Sequence, residues 1–373
     1  MDNDPCLPTL NEDWSVLRQF LPPGWEEQAR RCGALHRARG VNGAEALLRV
    51  LLIHLAAGCS LAETAVRAQA AGLARLSAVA LFKRLQAAQE WLRWLAAQER
   101  RLLVESVPAT IRRLRAVDAT VVSEPGSTGT DWRIHYSINL TDLQCDFFEL
   151  TDVHGGESWR RIPIAAGDVV LGDRLYANPV GVSHVVGSGG DVLVRLNWYT
   201  LPLYTESGRK VEAFQALRGL KPGSIRDLPT WVRPGQGAPV RGRLIAVRRS
   251  AEATRLVRKK QDRRASKQQK KVSRKSREAA KYFMVWTSLP DTTPATEVLE
   301  FYRCRWQIEL SFKRMKSTLG LGHLPKKDPA SARAWLHGKL LTSLLVERII
   351  QAATAFSPWG YRLEPAAQPV ARS

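Results

Sequence analysis

Long hydrophobic runs are missing from this sequence. Its most apolar stretch, Ala46 to Cys59, carries Arg49 and His54, whereas a membrane helix needs roughly 18 or more consecutive residues with few or no charges. The N-terminus, Met1 to Glu12, is acidic and polar where a secretory signal would place a basic flank and an apolar core, so no export signal is read. Cysteine is sparse: five residues (Cys6, Cys32, Cys59, Cys145, Cys304), odd in number and without a CxxC pair. That argues against a disulfide framework or a zinc knuckle and fits a reducing cytoplasm. The histidines show no paired metal spacing; His154-Gly155-Gly156-Glu157 is the one suggestive cluster, and it reads as a loop. Acidic residues are in deficit, 35 against 56 Lys and Arg.

What is present sets the class. A chain of 373 residues that is 45% hydrophobic fills a core and builds two or three domains, which excludes global disorder. A formal charge of +21 calls for a polyanionic partner, nucleic acid first. The charge is concentrated: between Arg248 and Lys281 fifteen Lys and Arg face three acids. With Gln and Ser spacers and few apolar residues that run cannot pack a core, so it reads as a solvated helix or mobile arm. Its one-sided sign points to phosphate contacts at Lys259, Lys260, Arg263, Arg264, Lys270 and Lys271.

The first third, 1–108, reads as helical. Ala44 to Ala57 forms a mostly apolar helix, Ser60 caps one through Gln69, Gly72 breaks it, and Ser77 caps a longer one carrying Leu81, Leu85, Trp91 and Trp94. Two capped helices about a Gly turn suggest a helix-turn-helix, with Arg67, Arg75, Lys83 and Arg84 as its basic reach. From Arg115 the texture becomes short β-rich runs. Ala116 to Val122, Trp132 to Leu140 and Cys145 to Thr151 predict three sequential antiparallel strands. A helical patch near Glu157 to Ile162, a buried strand Asp168 to Leu171, a helix and the strand Asp191 to Leu196 follow, which together make a mixed α/β core. Residues 199–286 add strands (Ser224 to Leu228, Val240 to Val247) and the basic run, reading as a β-rich insertion between core segments 109–198 and 287–325. The strand Tyr282 to Ser288 and one long helix from Thr293-Pro294 to Gly320 lead to an apolar helix, Ser331 to Ala352, and a loose Pro/Ala-rich tail within 326–373.

Three carboxylates stand out. Asp118 interrupts the strand Ala116 to Val122, where burying a charge needs compensation. Asp173 ends the apolar run Val169-Val170-Leu171-Gly172, at the carboxyl end of a core strand where α/β sheets place ligand sites. Arg305, Glu309 and Lys316 follow Tyr302 by 3, 7 and 14 residues, which puts all four within roughly a 60° arc of one helix face. Phe301, Trp306, Ile308, Leu310 and Phe312 make much of the remaining surface apolar, so the helix should be covered and its polar stripe should face a site. Two carboxylates on strands and one on a helix suit two divalent metals about 4 Å apart for in-line attack on a phosphodiester, and hard oxygen ligands favour Mg²⁺ or Mn²⁺.

The order Asp118, then Gly172-Asp173-Arg174-Leu175-Tyr176, then Tyr302/Arg305/Glu309/Lys316 as Tyr-x2-Arg-x3-Glu-x6-Lys, resembles the DDE transposases of bacterial insertion sequences that carry the Tyr-Arg-Glu-Lys signature. The resemblance covers about Val41 to Ala352. It implies a ribonuclease H-like core interrupted by a β-rich insertion, and Mg²⁺-dependent excision and insertion of a mobile element by a dimer acting on terminal inverted repeats and target DNA in the bacterial nucleoid. By the same resemblance Asp118, Asp173 and Glu309 are metal ligands, and Tyr302, Arg305 and Lys316, with Arg174 beside Asp173, contact DNA. The resemblance also implies that an aromatic residue at the start of the strand before the Glu-bearing helix receives an unstacked base, which points to Tyr282 or Phe283, with Trp286 further along; strand alternation favours Tyr282. The chain departs from the family's frequent Gly after the first Asp, having Ala119. A DNA-binding regulator, or a two-metal nuclease of the same fold, are the alternatives: the first has no use for three carboxylates, and the second does not need so large a basic insertion.

Overall fold

Side-chain caps fix where the N-terminal helices begin. In the computed structural model, which describes residues 9–105 and 113–354, Ser60 accepts from the Glu63 amide at 3.1 Å and Ser77 from the Ala80 amide at 3.2 Å. Each satisfies one of the orphan amides of a first turn. The resulting α4 (Leu61–Ala70) and α5 (Ala78–Ala87) are separated by Gly72 at φ 66°, the conformation that favours glycine. Around them lie α1 (Thr9–Arg18), α2 (Trp25–Arg31), α3 (Ala44–Leu55) and α6 (Gln89–Glu105). Trp25 and Trp91 stack at 6.2 Å, and the Trp91 indole donates to the Trp25 carbonyl at 2.9 Å. Two of the four basic residues expected to reach from the helix-turn-helix are engaged within the protein: Arg67 pairs with Glu63 at 2.8 Å, and Arg84 donates to the Arg37 carbonyl at 2.6 Å.

The expected antiparallel meander is present as β1 (Leu114–Val122), β2 (Trp132–Asn139) and β3 (Cys145–Asp152). Then come β4 (Val169–Gly172), α7 (Pro179–Gly187) and β5 (Asp191–Arg195). β1, β4 and β5 run parallel, with β2 antiparallel to β1. The order β3-β2-β1-β4-β5 is the ribonuclease H-like arrangement that the resemblance implied. The helical patch near Glu157 is a single 3₁₀ turn, Trp159–Arg161.

Residues 199–286 do not stand apart from this sheet. β6 (Leu203–Tyr204), β7 (Ile225–Val232), β8 (Val240–Arg248) and β9 (Tyr282–Thr287) continue it to nine strands, with β9 hydrogen-bonded to β5 and β8 to β9. A short α8 (Ala213–Ala216) joins β6 to β7. β7 runs past the Leu228 at which the sequence suggested it would stop, through Pro229. Proline is tolerated there because β6 pairs only with Trp231 and Val232, leaving Pro229 at an open edge. The basic run forms two helices, α9 (Ala251–Lys267) and α10 (Arg274–Ala279), rather than a mobile arm. They are tied by an Arg277–Asp262 pair at 3.0 Å and by Gln261 donating to the Ser276 carbonyl at 3.1 Å.

The expected single long helix is two: α11 (Ala295–Cys304) and α12 (Trp306–Thr318), broken at Arg305. α13 (Pro329–Thr354) then returns to the N-terminal helices. Its Gly338 lies so close to α3 that a Cβ there would come within 2.4 Å of Leu55. One core joins the N-terminal helices, α12, α13 and one face of β1 and β2; another lies under α7 on the opposite face of the sheet. The Pro/Ala-rich tail and the boundary near residue 108 lie outside the described residues. No described helix is long and apolar enough to cross a membrane.

Candidate active site

Sheet register brings the two aspartates together. β1 and β4 pair in parallel up to Ala116↔Leu171, and Asp118 and Asp173 each lie two residues beyond that pair. β4 ends at Gly172 while β1 continues against β2, with Asp118 opposite Tyr136. The strands therefore part where the carboxylates sit, at the carboxyl end of the parallel pair where α/β sheets place their sites. Each aspartate satisfies one oxygen locally: Asp118 accepts from the Ala119 amide at 2.8 Å and Asp173 from the Leu175 amide at 2.7 Å. Asp173 does not cap the next helix; Asn178 does, accepting from Gly181 at 2.7 Å.

Helices α11 and α12 close the site from above. The Tyr302 hydroxyl donates to the Gly172 carbonyl at 3.2 Å, which anchors the end of α11 beside Asp173. At the helix break, the Arg305 guanidinium lies 3.4 Å from Asp118 and hydrogen-bonds Glu309. The structure thus gathers Asp118, Asp173, Tyr302, Arg305 and Glu309 even though Tyr302 and Glu309 belong to different helices. Lys316 lies two turns beyond Glu309 and is exposed. Trp306, expected to help cover this helix, is 57% exposed beside Arg305.

Electrostatics mark the same place. Burial, then the neighbouring charge of Asp173, push Asp118 up to about 6, against the local amide bond and Arg305. Glu157 is pushed up to about 7 by burial and by Asp118 and Asp173. The His154-Gly155-Gly156-Glu157 segment reads only as a loop, because nothing in it signals proximity to Asp118 and Asp173. Arg195, at the end of β5, was also missed: its guanidinium lies 4.0 Å over the Phe283 ring, and burial followed by Arg174 holds it down to about 10. Arg174 is exposed and lies 5.5 Å over the Trp198 ring.

Tyr282 is a correction. Its ring is 3% exposed in the core under α7 and its hydroxyl donates to the Leu217 carbonyl at 3.2 Å, so it has no free face for a base. Alternation along β9 instead turns Phe283 toward the site, edge to face with Tyr302 at 5.6 Å. Lys259, Lys260, Arg263, Arg264, Lys270 and Lys271 are all exposed on or just beyond α9. A basic groove of about 780 Å³ beside them is lined by Arg255, Arg258, Lys259, Arg263 and Arg277 among others.

Hard oxygen donors of one sign, crowded enough to raise each other's proton affinity, suit a divalent cation. Among the described residues no three acidic, His or Cys side chains converge into a ready-made cage, so a cation here would keep much of its own water, as Mg²⁺ does.

Comparison with known proteins agrees with this site. Residues 151–345 match the transposase DDE domain family, and the chain belongs to the DDE transposases, enzymes that use divalent metal ions to cleave and join DNA. It is 34% identical over 357 or 358 residues to Escherichia coli transposases, among them that of insertion sequence element IS421, covering 93% of this chain and 96% of that protein. It is 25% identical to the IS231C transposase of Bacillus thuringiensis subsp. berliner, covering 87% of this chain and 77% of that one. Like them it is a transposase of the insertion-sequence type.

Proposed function

We propose that Asp118, Asp173 and Glu309 bind two Mg²⁺ ions, for which Mn²⁺ substitutes, and that the protein excises its element by cut and paste as a dimer on the terminal inverted repeats. The observation that carries this reading is the register of β1 and β4, which sets two carboxylates side by side, with Glu309 linked to Asp118 through Arg305. When bound, the ions would activate the attacking oxygen and stabilise the leaving one. Asp118 and Asp173 would supply oxygens from strand ends, and Glu309 one from the first turn of α12. Arg305 would grip the phosphate beside the cut, with Tyr302 setting its position and Lys316 holding the strand further along α12. The α9 and α10 hairpin and Arg174 add phosphate contacts.

Cleavage of duplex DNA carrying the element's ends tests this. Asp118→Asn, Asp173→Asn and Glu309→Gln are each expected to lower the divalent-metal-dependent cut at least roughly a thousandfold while end binding persists. Any one of them cutting near the wild-type rate removes that residue from the site. Release of cut ends with no joined product would make the protein a nuclease instead.

A further inference from the structure

Glu157 and Tyr176 are unaccounted for by the three-carboxylate reading. Glu157 sits in the loop after β3, its side chain 16% exposed, with Oε1 3.9 Å from the Arg133 Nε and Oε2 buried without a hydrogen-bond partner among the protein's own groups. Tyr176 is 1% exposed and its hydroxyl is likewise without a partner. A buried polar atom left unsatisfied is costly and demands a reason. The charges that bear most on the Tyr176 hydroxyl are those of Glu157, Asp118 and Asp173.

The local fold holds these groups in place. Trp159, two residues after Glu157, is fully buried, packs its ring 4.6 Å from that of Tyr176 and donates to the Tyr176 carbonyl at 2.9 Å. Gly172 and Gly181 make room for it, since a Cβ on either would meet the Trp159 ring at 2.7 and 2.4 Å. Gly155 is pressed so closely on Thr151 that a Cβ would lie 2.1 Å from its hydroxyl. A loop clamped at both ends holds this carboxylate buried and within electrostatic reach of Asp118 and Asp173, where repulsion alone would turn it to solvent.

We propose that Glu157, with the Tyr176 hydroxyl, is a positioning group of the cation site, holding the hydration water of a divalent ion bound by Asp118 and Asp173. This rests on the metal-site reading above and adds a fourth carboxylate to it. Mg²⁺ retains several waters in protein sites, which suits a contact made through water. Groups that orient a metal's immediate ligands typically change its affinity by about 10–100-fold.

The experiment is Mn²⁺ binding to the full chain, followed by the electron paramagnetic resonance of free Mn²⁺, together with metal-free thermal unfolding. Glu157→Gln is expected to raise the Mn²⁺ Kd by about 10–100-fold and to leave the metal-free Tm unchanged or higher, because a like charge is removed. Tyr176→Phe is expected to raise the Kd several-fold. A wild-type Kd in either variant overturns the proposal, as does a metal-free Tm that falls in Glu157→Gln, the result expected if Glu157 served only as the partner of Arg133. Asp118→Asn separates the two readings: if it too binds Mn²⁺ like the wild type, the metal site itself is misplaced.

Discussion

Asp118 keeps a raised proton affinity even beside a guanidinium. Arg305 is its cation, yet burial and Asp173 still push it up to about 6 from 3.8. The folded, metal-free chain therefore holds a proton on Asp118 at pH values where the unfolded chain has released it, and this group's contribution to stability declines as pH rises from about 4 to about 6. Glu157, pushed from 4.5 to about 7, extends the same trend upward. Buried histidines act in the opposite direction, His135 and His337 being held down to about 4, so the check is differential. Metal-free Tm measured at pH 5 and pH 7.5 should fall less, or rise more, in Asp118→Asn than in the wild type; equal slopes would mean that Asp118 ionises normally. Divalent cations should reverse the trend by displacing the proton. Asp118 is legible because a charge inside a strand breaks a local rule, Asp173 because it ends an apolar core strand, and Glu309 because it lies on the polar stripe of a largely apolar helix. Glu157 breaks none, since an acid after two glycines is ordinary loop sequence, and only the packing of Trp159 gives it an address.

At the scale of elements, the α9 and α10 hairpin is the clearest case of charge setting structure. α9 has no buried residue, so little holds it beyond its Ser250 cap, the Asp262–Arg277 pair and a few hydrogen bonds to α10. Replacing Lys259, Lys260, Arg263 and Arg264 by Gln should leave the fold unchanged and flatten the slope of log K against log salt by roughly three to four, at about 0.9 per phosphate. An unchanged slope would make the hairpin a solvated bystander. Helical periodicity exposed the Tyr302 to Lys316 stripe but not the break at Arg305, because no Pro or Gly marks it. The 3₁₀-type bonds there, Arg305 amide to Tyr302 carbonyl at 3.2 Å and Ile308 amide to Arg305 carbonyl at 3.2 Å, follow from Tyr302 being anchored to Gly172 while Ile308 and Phe312 pack into another core.

Across the whole molecule, the chain's last described helix closes on its first third. Glu99 of α6 is fully buried against Arg348 of α13 at 2.8 Å, burial raising its proton affinity against that partner. Arg348→Ala should cost about 3–5 kcal/mol, read as a lower denaturant midpoint, because a charge is left without its counter-ion; Glu99→Gln combined with it should recover much of the loss. Strand patterns identified nearly every strand of the 199–286 segment, yet they could not show that those strands extend the catalytic sheet, since edge pairing is decided by partners far along the chain. That continuity has a mechanical meaning. β8 passes directly into the basic hairpin, and β9 returns from it to carry Phe283 up to Tyr302, so the DNA contact and the point of cutting proposed above would stand on one continuous ribbon of sheet. With the hairpin on DNA as proposed, the two would act as the jaws of a caliper, and the cut should fall a constant number of nucleotides from the segment that the hairpin protects.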